Sequence, residues 1–125
     1  MDKTYIKGKT MGKTINYYKF GEIVIDGKKY NSDLILYPDR IKNNWWRKSG
    51  HQLVPEDIKE ILKEKPEILI VGKGAIGLMV VSDETKKILK EKNIELITQK
   101  TEMACKTYNS MPKDKKVVLA LHLTC

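Results

Sequence analysis

From residue 34 onward, short apolar runs alternate with segments of helical pattern, and this alternation restricts the fold more than any other feature of the chain. Continuous apolar runs such as Ile68-Leu69-Ile70-Val71 are typical of strands that are buried on both faces. Strands that alternate with helices predict a mostly parallel mixed sheet with right-handed crossovers and helices on both sides, which is a three-layer α/β fold. The predicted strands are residues 34–37, 68–71, 94–97 and 117–121.

The predicted helices have recognisable ends. Pro55 suits the first position of the first helix, and Pro66 stops that helix. Ser82 can cap the second helix, and Asn93 can end it. The third helix is predicted over about residues 101–110.

The segment that precedes this alternation predicts a β-hairpin. Residues 15–20 and 22–25 have strand character, and residues 29–30 would begin the return strand. Asp26-Gly27 favours a type I′ turn, because that turn requires positive φ at both of its central residues. We expect the hairpin to pack at the edge of the sheet or over it, and residues 1–13 to pack loosely.

Length and composition exclude several classes of protein. A chain of 125 residues with 41% hydrophobic content can bury one core, so residues 1–125 are expected to form a single domain. The chain has no run of about 18 apolar residues that could span a membrane. Its first residues have no apolar signal region, so a cytoplasmic location is expected. The two cysteines, Cys105 and Cys125, do not form a CxxC pair, and the two histidines, His51 and His122, do not have metal-ligand spacing. We therefore expect no metal, disulfide or cofactor.

The positive charge does not by itself indicate nucleic-acid binding. The net charge is +8, but Arg40 and Arg47 are the only arginines among 24 basic residues. Arginine is the residue that contacts phosphates and guanines in bidentate fashion, and the lysines here are spread along the whole chain. Nucleic-acid binding therefore stands third among the hypotheses.

The loop after the second predicted strand, Gly72-Lys73-Gly74-Ala75-Ile76-Gly77, has the spacing of a dinucleotide-binding motif. In such sites a helix starts at the motif, whereas residues 78–81 here have strand or buried-loop character. No acidic residue follows the strand at 94–97 to bind a ribose. We interpret the loop as a tight turn, with dinucleotide binding as the alternative.

Two groups of residues are candidate sites. Ligands of α/β proteins bind beyond the carboxyl ends of parallel strands, which suggests an anion pocket without an evident nucleophile or general base. Its candidate residues are Arg40, Gly72, Lys73, Gly74, Lys100 and Thr101. The irregular stretch at 39–53 places aromatic residues beside cations and offers a candidate interaction surface, unless one tryptophan fills the core while the other covers it. The candidate residues of that surface are Trp45, Trp46, Arg47 and His51.

Several short motifs recur in the order of one known family. They are residues 18–27, Trp46-Arg47 before Gly50-His51, residues 69–74, residues 101–109 and the ending His122-Leu123-Thr124-Cys125. Over about residues 15–125 the chain resembles the Mth nine-three-eight domain family. The resemblance implies a three-layer α/β fold with a hairpin covering part of the sheet, and it carries over no catalytic residue. Distant members that assemble mitochondrial complex I imply a protein-binding role, although no transit peptide is expected here and the mitochondrial setting is not expected to carry over directly.

Two functional hypotheses stand ahead of nucleic-acid binding. The leading one is a non-catalytic binding or assembly module that acts through protein contacts or a small anionic ligand. The alternative is a ligand- or nucleotide-dependent enzyme that uses the pocket at the carboxyl ends of the strands, with Lys73 or His51 transferring a proton.

Cys105, in the third predicted helix, is expected to be a small buried hydrophobic residue rather than a nucleophile.

Overall fold

The computed structural model describes residues 13–125, and strands and helices alternate there as the sequence predicts. The strands are β1 (Ile15–Lys19), β2 (Glu22–Ile25), β3 (Lys28–Tyr30), β4 (Leu34–Leu36), β5 (Ile41–Lys42), β6 (Gln52–Leu53), β7 (Ile68–Lys73), β8 (Val80–Val81), β9 (Glu95–Gln99) and β10 (Val117–His122). The helices are a 3-10 turn at Pro55–Ile58, then α1 (Lys59–Glu64), α2 (Asp83–Glu91) and α3 (Thr101–Asn109). None of these helices has the length and apolar character needed to cross a membrane.

The central sheet has the strand order β5-β4-β10-β7-β9 and is mixed. The three longest of its strands are parallel, since β10 pairs with β7 and β7 pairs with β9 in the same direction. In contrast, β4 runs antiparallel to β10 and to β5. The chain enters β4 directly from the hairpin, without a helical crossover. A crossover is needed only between neighbouring strands that run parallel. The carboxyl end of β4 therefore lies at the opposite edge of the sheet from the carboxyl ends of β7, β9 and β10.

Alternation along the strands separates two hydrophobic cores and produces the predicted three layers. One core contains side chains of the hairpin and α3, packed on residues such as Ile70 and Leu119. The other contains side chains of α1 and α2, packed on residues such as Val71 and Val118. All six residues of β10 are buried, as expected for a central strand covered on both faces.

The predicted hairpin forms and packs over the sheet rather than only at its edge. Asp26 and Gly27 have φ of +49° and +83°, which fits the turn that these two residues predict. Ile23 and Ile25 are buried in the same core as α3. The prediction of loose packing for residues 1–13 lies outside the described residues except for Lys13, whose backbone N–H donates to the Tyr108 hydroxyl at 3.2 Å.

The predicted helix boundaries are confirmed. The first helical segment begins at Pro55, and a left-handed Lys65 (φ +53°) ends it directly before Pro66. Ser82 caps α2, with its hydroxyl accepting a hydrogen bond from the Thr85 backbone N–H at 3.1 Å. The left-handed Asn93 (φ +58°) then turns the chain from α2 towards β9.

Candidate functional site

The carboxyl ends of β7, β9 and β10 form one edge of the central sheet, which we call the carboxyl edge. The loop between β7 and β8 lies there together with the final residues of the chain, because Ala75 N–H donates to the Thr124 carbonyl at 2.6 Å. The tight turn between β1 and β2 reaches the same place, since Gly21 N–H donates to the Leu123 carbonyl at 2.9 Å. Four separate parts of the sequence thus converge at this edge, the fourth being the start of α3.

The glycines of the β7–β8 loop make room for the chain itself. A Cβ atom added to Gly74, which has φ of +104°, would lie 2.3 Å from the carbonyl carbon of Cys125. A Cβ atom added to Gly72 would lie 2.6 Å from Leu121 Cδ2 and 3.0 Å from Thr101 Oγ1. In a dinucleotide site such glycines would let a pyrophosphate approach the backbone. Here the start of α3 and the last residues occupy that space.

The hydrogen-bond donors of the loop are also used internally. Gly74 N–H donates to Thr101 Oγ1 at 2.8 Å, and the Thr101 hydroxyl donates to the His122 carbonyl at 2.6 Å. Leu78 N–H donates to the Cys125 carbonyl at 3.2 Å. After this loop the chain forms β8, and α2 begins only at Asp83. The geometry agrees with a tight turn rather than with a phosphate-binding loop.

Five of the six candidate anion-pocket residues lie at the carboxyl edge: Gly72, Lys73, Gly74, Lys100 and Thr101. The grouping of Arg40 with them is wrong, because β4 is antiparallel and Arg40 follows its far end. Arg40 instead donates to Asp39 at 2.8 Å and to Glu64 at 3.4 Å. Its guanidinium also lies over the Tyr37 ring, with Cζ 4.0 Å from the ring centroid.

The candidate interaction surface is divided between core and solvent. Trp45 is buried, and its indole N–H donates to the Asp57 carbonyl at 3.3 Å. Trp46 is 79% exposed, and His51 is exposed as well. Only 5% of the Arg47 side chain is exposed. One tryptophan therefore belongs to the core, and Trp46 and His51 are the members available to a partner.

Arg47 belongs to a buried polar cluster that also contains Asp33 and His122. Asp33 Oδ2 lies 2.8 Å from Arg47 Nη1 and 2.8 Å from His122 Nδ1. The other carboxylate oxygen, Oδ1, accepts the Leu123 backbone N–H at 2.8 Å. Burial by itself would raise the pKa of Asp33, but the hydrogen bonds from His122, Leu123 and Arg47 outweigh it and hold that pKa below its usual value.

The cluster fixes the tautomer of His122. An ionised carboxylate only accepts hydrogen bonds, so His122 Nδ1 carries the proton that it donates to Asp33. Arg47 Nη2, 3.1 Å from the same Nδ1, is then a close neighbour rather than a donor to it. Arg47 Nε is buried without a hydrogen-bond partner among residues 13–125, and the guanidinium lies over the Trp45 ring with Cζ 4.9 Å from its centroid.

Sequence reasoning missed Asp33 altogether and considered His122 only as a possible metal ligand and as part of the family motif. Asp33 lies in the short connection before β4, where an acidic residue is unremarkable. The only signal was indirect: the start of one strand lies beside the end of its neighbour when the two are antiparallel. Only the direction of β4 brings Asp33 next to His122.

Six of the seven exposed large apolar residues of the described chain stand on segments that meet at the carboxyl edge. Single exposed apolar residues are ordinary, but a group of them on one surface marks an interaction site. Their segments are fastened to this edge by the hydrogen bonds given above and by Thr101 N–H, which donates to the Gly74 carbonyl at 3.1 Å. The residues are Phe20 (62% exposed), Trp46 (79%), Ile76 (61%), Leu78 (48%), Val80 (57%) and Met103 (50%).

Comparison with known proteins agrees with the fold and the sequence motifs. The family described as proteins of unknown function, DUF498/DUF598, matches residues 15–122. The chain belongs to this family. A Bordetella pertussis protein with an Mth938-like domain is 19% identical, covers 98% of this chain and 92% of its own, and superposes with a TM-score of 0.67. The resemblance to the Mth nine-three-eight family is thereby confirmed, and the family is described as one of unknown function.

Two further structures resemble the chain over nearly their whole length. A conserved hypothetical protein from Pyrococcus horikoshii is 29% identical, with 90% of this chain and 99% of that chain covered and a TM-score of 0.77. A protein from Bartonella henselae, described as an outer membrane protein, is 25% identical, with 91% and 97% covered and a TM-score of 0.78. Both structures share the fold described above.

Cys105, the remaining candidate for nucleophilic chemistry, has the buried position that the sequence predicts. Burial, with a smaller contribution from the nearby Glu102, raises the pKa of the Cys105 thiol to about 12. A thiol with so high a pKa is not ionised at neutral pH and is a poor nucleophile. Cys105 packs instead among the apolar residues of α3.

Proposed function

We propose that this protein is a non-catalytic binding module that holds a partner protein at its carboxyl edge. The observation that carries the proposal is the set of six exposed apolar side chains on segments fastened to that edge. Burial of exposed apolar surface is the main driving force of protein association. We place this binding in the cytoplasm, since Cys105 and Cys125 are both free thiols and thiols stay reduced there.

The buried cluster supports this role by holding the apolar residues in place. Asp33, Arg47 and His122 join the start of β4, the loop that contains Trp46, and the end of β10. A binding surface built on a rigid frame loses less conformational entropy when it binds. The cluster therefore favours a preformed surface over one that folds on binding.

The charge of the carboxyl edge indicates the chemistry of the partner. Lys73 and Lys100 lie there, and neither forms an ion pair within residues 13–125. The stem of Lys100 lies along the loop, its Cγ 3.3 Å from where a Cβ of Gly77 would be. Two lysines beside apolar side chains favour a partner segment that is apolar and acidic. In a symmetric dimer the same patch would meet itself and bring these lysines towards one another, which disfavours a second copy of the chain.

A partner protein fits this edge better than a small anion or a substrate does. The backbone donors of the loop and the Thr101 hydroxyl are already used within the described chain, so an incoming phosphate would find few of them. The enzymatic alternative assigned proton transfer to Lys73 or His51. No hydrogen bond within residues 13–125 links either side chain to an acid–base partner.

Site-specific photo-crosslinking in the native cells tests the proposal. A photoreactive amino acid at the position of Leu78, on the carboxyl edge, should give a discrete adduct with another protein. The same amino acid at the position of Lys90, exposed near the far end of α2, is the matched control and should give none. The adduct at position 78 should decrease several-fold when Lys73→Glu and Lys100→Glu are combined, because the partner segment is acidic.

A second charge reversal distinguishes an effect of the lysines at the carboxyl edge from an effect of the protein's net charge. Lys86→Glu with Lys87→Glu changes the total charge equally on exposed positions of α2 and should leave the adduct at position 78 unchanged. Adducts with copies of the chain itself, equal adducts at both positions, no adduct at position 78, or equal effects of the two reversals would each contradict the proposal. Unchanged urea midpoints of the variants show that the fold is intact.

A further inference from the structure

We infer that a second site, at the opposite edge of the sheet from the proposed docking surface, binds a small anionic molecule with an apolar body. A cavity of about 440 Å³ lies where β10 begins and where the chain leaves β4. Ligand pockets for small molecules have volumes of roughly 300–1,000 Å³, so this cavity has a suitable size. The inferred site is thus separate from the anion pocket that the sequence predicts at the carboxyl edge.

The walls of the cavity are apolar and conformationally restricted. Pro38 and Pro112 contribute rigid rings, and Met111 and Val117 contribute aliphatic surface. A flat or compact apolar group would be taken out of water against these walls. Tyr108 adds a polar atom, since its hydroxyl accepts from Lys13 N–H, and the hydroxyl proton has no acceptor within the described chain. This proton is available to an oxygen of the ligand.

The rim of the cavity is cationic. Four lysines line it, and Asp114 is the one acidic residue among the lining residues. Lys115 and Lys116 form ion pairs with Glu67 and Glu64 at 3.6 Å, and the two lysines and Glu67 have substantially exposed side chains, whereas Glu64 is 19% exposed. Such exposed pairs are weak and exchange readily for another anion. The lysines of the rim are Lys13, Lys113, Lys115 and Lys116.

Apolar walls and a cationic rim together select the class of ligand. An inorganic phosphate would satisfy only the rim, and a neutral apolar molecule only the walls. A single molecule that carries a carboxylate, phosphate or sulfonate on an apolar ring system or short chain satisfies both. Because the apolar walls and the cationic rim are separate parts of the site, binding of such a molecule can be distinguished from binding of an inorganic anion or of a neutral apolar molecule.

Fluorescence titration with 1-anilinonaphthalene-8-sulfonate tests the inference. This probe carries a sulfonate on an apolar ring system, and N-phenyl-1-naphthylamine has the same rings without the charge. We expect the sulfonate probe to bind more tightly than the neutral one. The affinity of the sulfonate probe should decrease when the salt concentration is raised from about 0.05 to about 0.5 M, because salt screens exposed charges. Two-dimensional NMR should show the largest shifts for the backbone amides of Met111 and of residues 113–117.

Neutralising part of the rim gives the decisive comparison. Lys113→Gln with Lys116→Gln should weaken the sulfonate probe about three- to tenfold and leave the neutral probe unchanged, since each exposed charge contact is weak. Lys86→Gln with Lys87→Gln on α2 is the matched control and should have no effect. Equal binding of the two probes, or equal effects of the two variants, would overturn the inference.

The carboxyl edge is the other place where an apolar probe could bind. Leu78→Glu places a charge on that exposed apolar surface and should leave the sulfonate probe unaffected. Loss of binding in this variant, or NMR shifts centred on residues 75–80, would also overturn the inference. Neither outcome would bear on the proposed protein-binding function, which depends on crosslinking at position 78 and not on this cavity.

Discussion

Single glycines in this chain are explained by what lies next to them rather than by the motif that they spell. Gly72 is needed because Leu121 and Thr101 pack against its Cα, and Gly74 because Thr124 and Cys125 do. Gly74 also has a φ of +104°, where other residues are strained. In other proteins glycines with this spacing leave room for a phosphate, whereas here the chain's own atoms fill that room.

Gly74→Ala is predicted to lower the free energy of unfolding by about 2–4 kcal/mol. Backbone strain at positive φ costs about 1–3 kcal/mol, and the new Cβ atom has to displace the backbone of Cys125. Gly50→Ala is the matched control, because no atom lies within 4 Å of the Cβ position at Gly50. It should change the stability by less than about 0.5 kcal/mol. Urea unfolding measures both, and similar losses in the two variants would contradict this account of Gly74.

The helices and strands show which local signals survive in the folded protein. The Asp26-Gly27 turn, the Ser82 cap and the left-handed Asn93 all occur where the sequence predicts them, because each depends on the backbone of a few adjacent residues. The direction of β4 does not depend on its own residues. Leu34-Ile35-Leu36 would fit a buried strand equally well in either direction, and its pairing with β10 decides. That pairing carries Arg40 away from Lys73.

Ser82→Ala is predicted to destabilise the protein by about 1 kcal/mol through loss of the α2 cap. The Ser82 hydroxyl accepts the Thr85 N–H and lies 2.7 Å from the Thr85 hydroxyl, which in turn donates to the Leu53 carbonyl at 3.0 Å. Ser82→Gly should cost only a few tenths of a kcal/mol, since glycine is tolerated at this position. Thermal unfolding of the wild type and the two Ser82 variants measures the order of their stabilities. Ser110→Ala, at the exposed end of α3, is the control, and a loss as large as that of Ser82→Ala would argue against a specific cap.

The two edges of the central sheet give the molecule two different surfaces. The carboxyl edge is apolar, has the buried cluster of Asp33, Arg47 and His122 behind it, and is proposed to hold a protein. The opposite edge contains a cavity with a lysine rim and is inferred to hold a small anion. The two sites use different side chains and can be tested separately.

Asp33→Asn is predicted to lower the free energy of unfolding at neutral pH by about 1.5–3 kcal/mol, the usual effect of losing a hydrogen bond to a charged group. The native pKa of Asp33 lies below its ordinary value of 3.8. A carboxyl whose pKa is lowered on folding stabilises the native state above the unfolded pKa and loses this contribution as the pH falls through the native pKa. The difference between the wild type and Asp33→Asn should therefore be full at pH 5–7 and diminish below about pH 3.8.

Denaturant unfolding at a series of pH values measures this difference. Asp39→Asn is the control, because the Asp39 side chain is 71% exposed and pairs only with its neighbour Arg40 within the described chain. It should change the stability by less than about 0.5 kcal/mol at every pH. A constant difference between Asp33→Asn and the wild type down to strongly acidic pH would show that the charge of Asp33 is not what stabilises the cluster.

The amino-acid sequence alone determined the positions of the hairpin, of the helices and of the strands β4, β7, β9 and β10, together with the turn at Asp26-Gly27 and the burial of Cys105. These follow from apolar periodicity and from backbone preferences that act over a few residues. The sequence did not predict the short strands β5 and β6, which lie in the stretch that it marked as irregular. The tertiary structure alone decided which polar groups meet. Asp33 lies 14 residues from Arg47 and 89 residues from His122, and local preferences carry no information over such separations. The antiparallel entry of β4 made that cluster, removed Arg40 from the predicted pocket and brought Pro38 to the wall of the lysine-lined cavity at the other edge of the sheet.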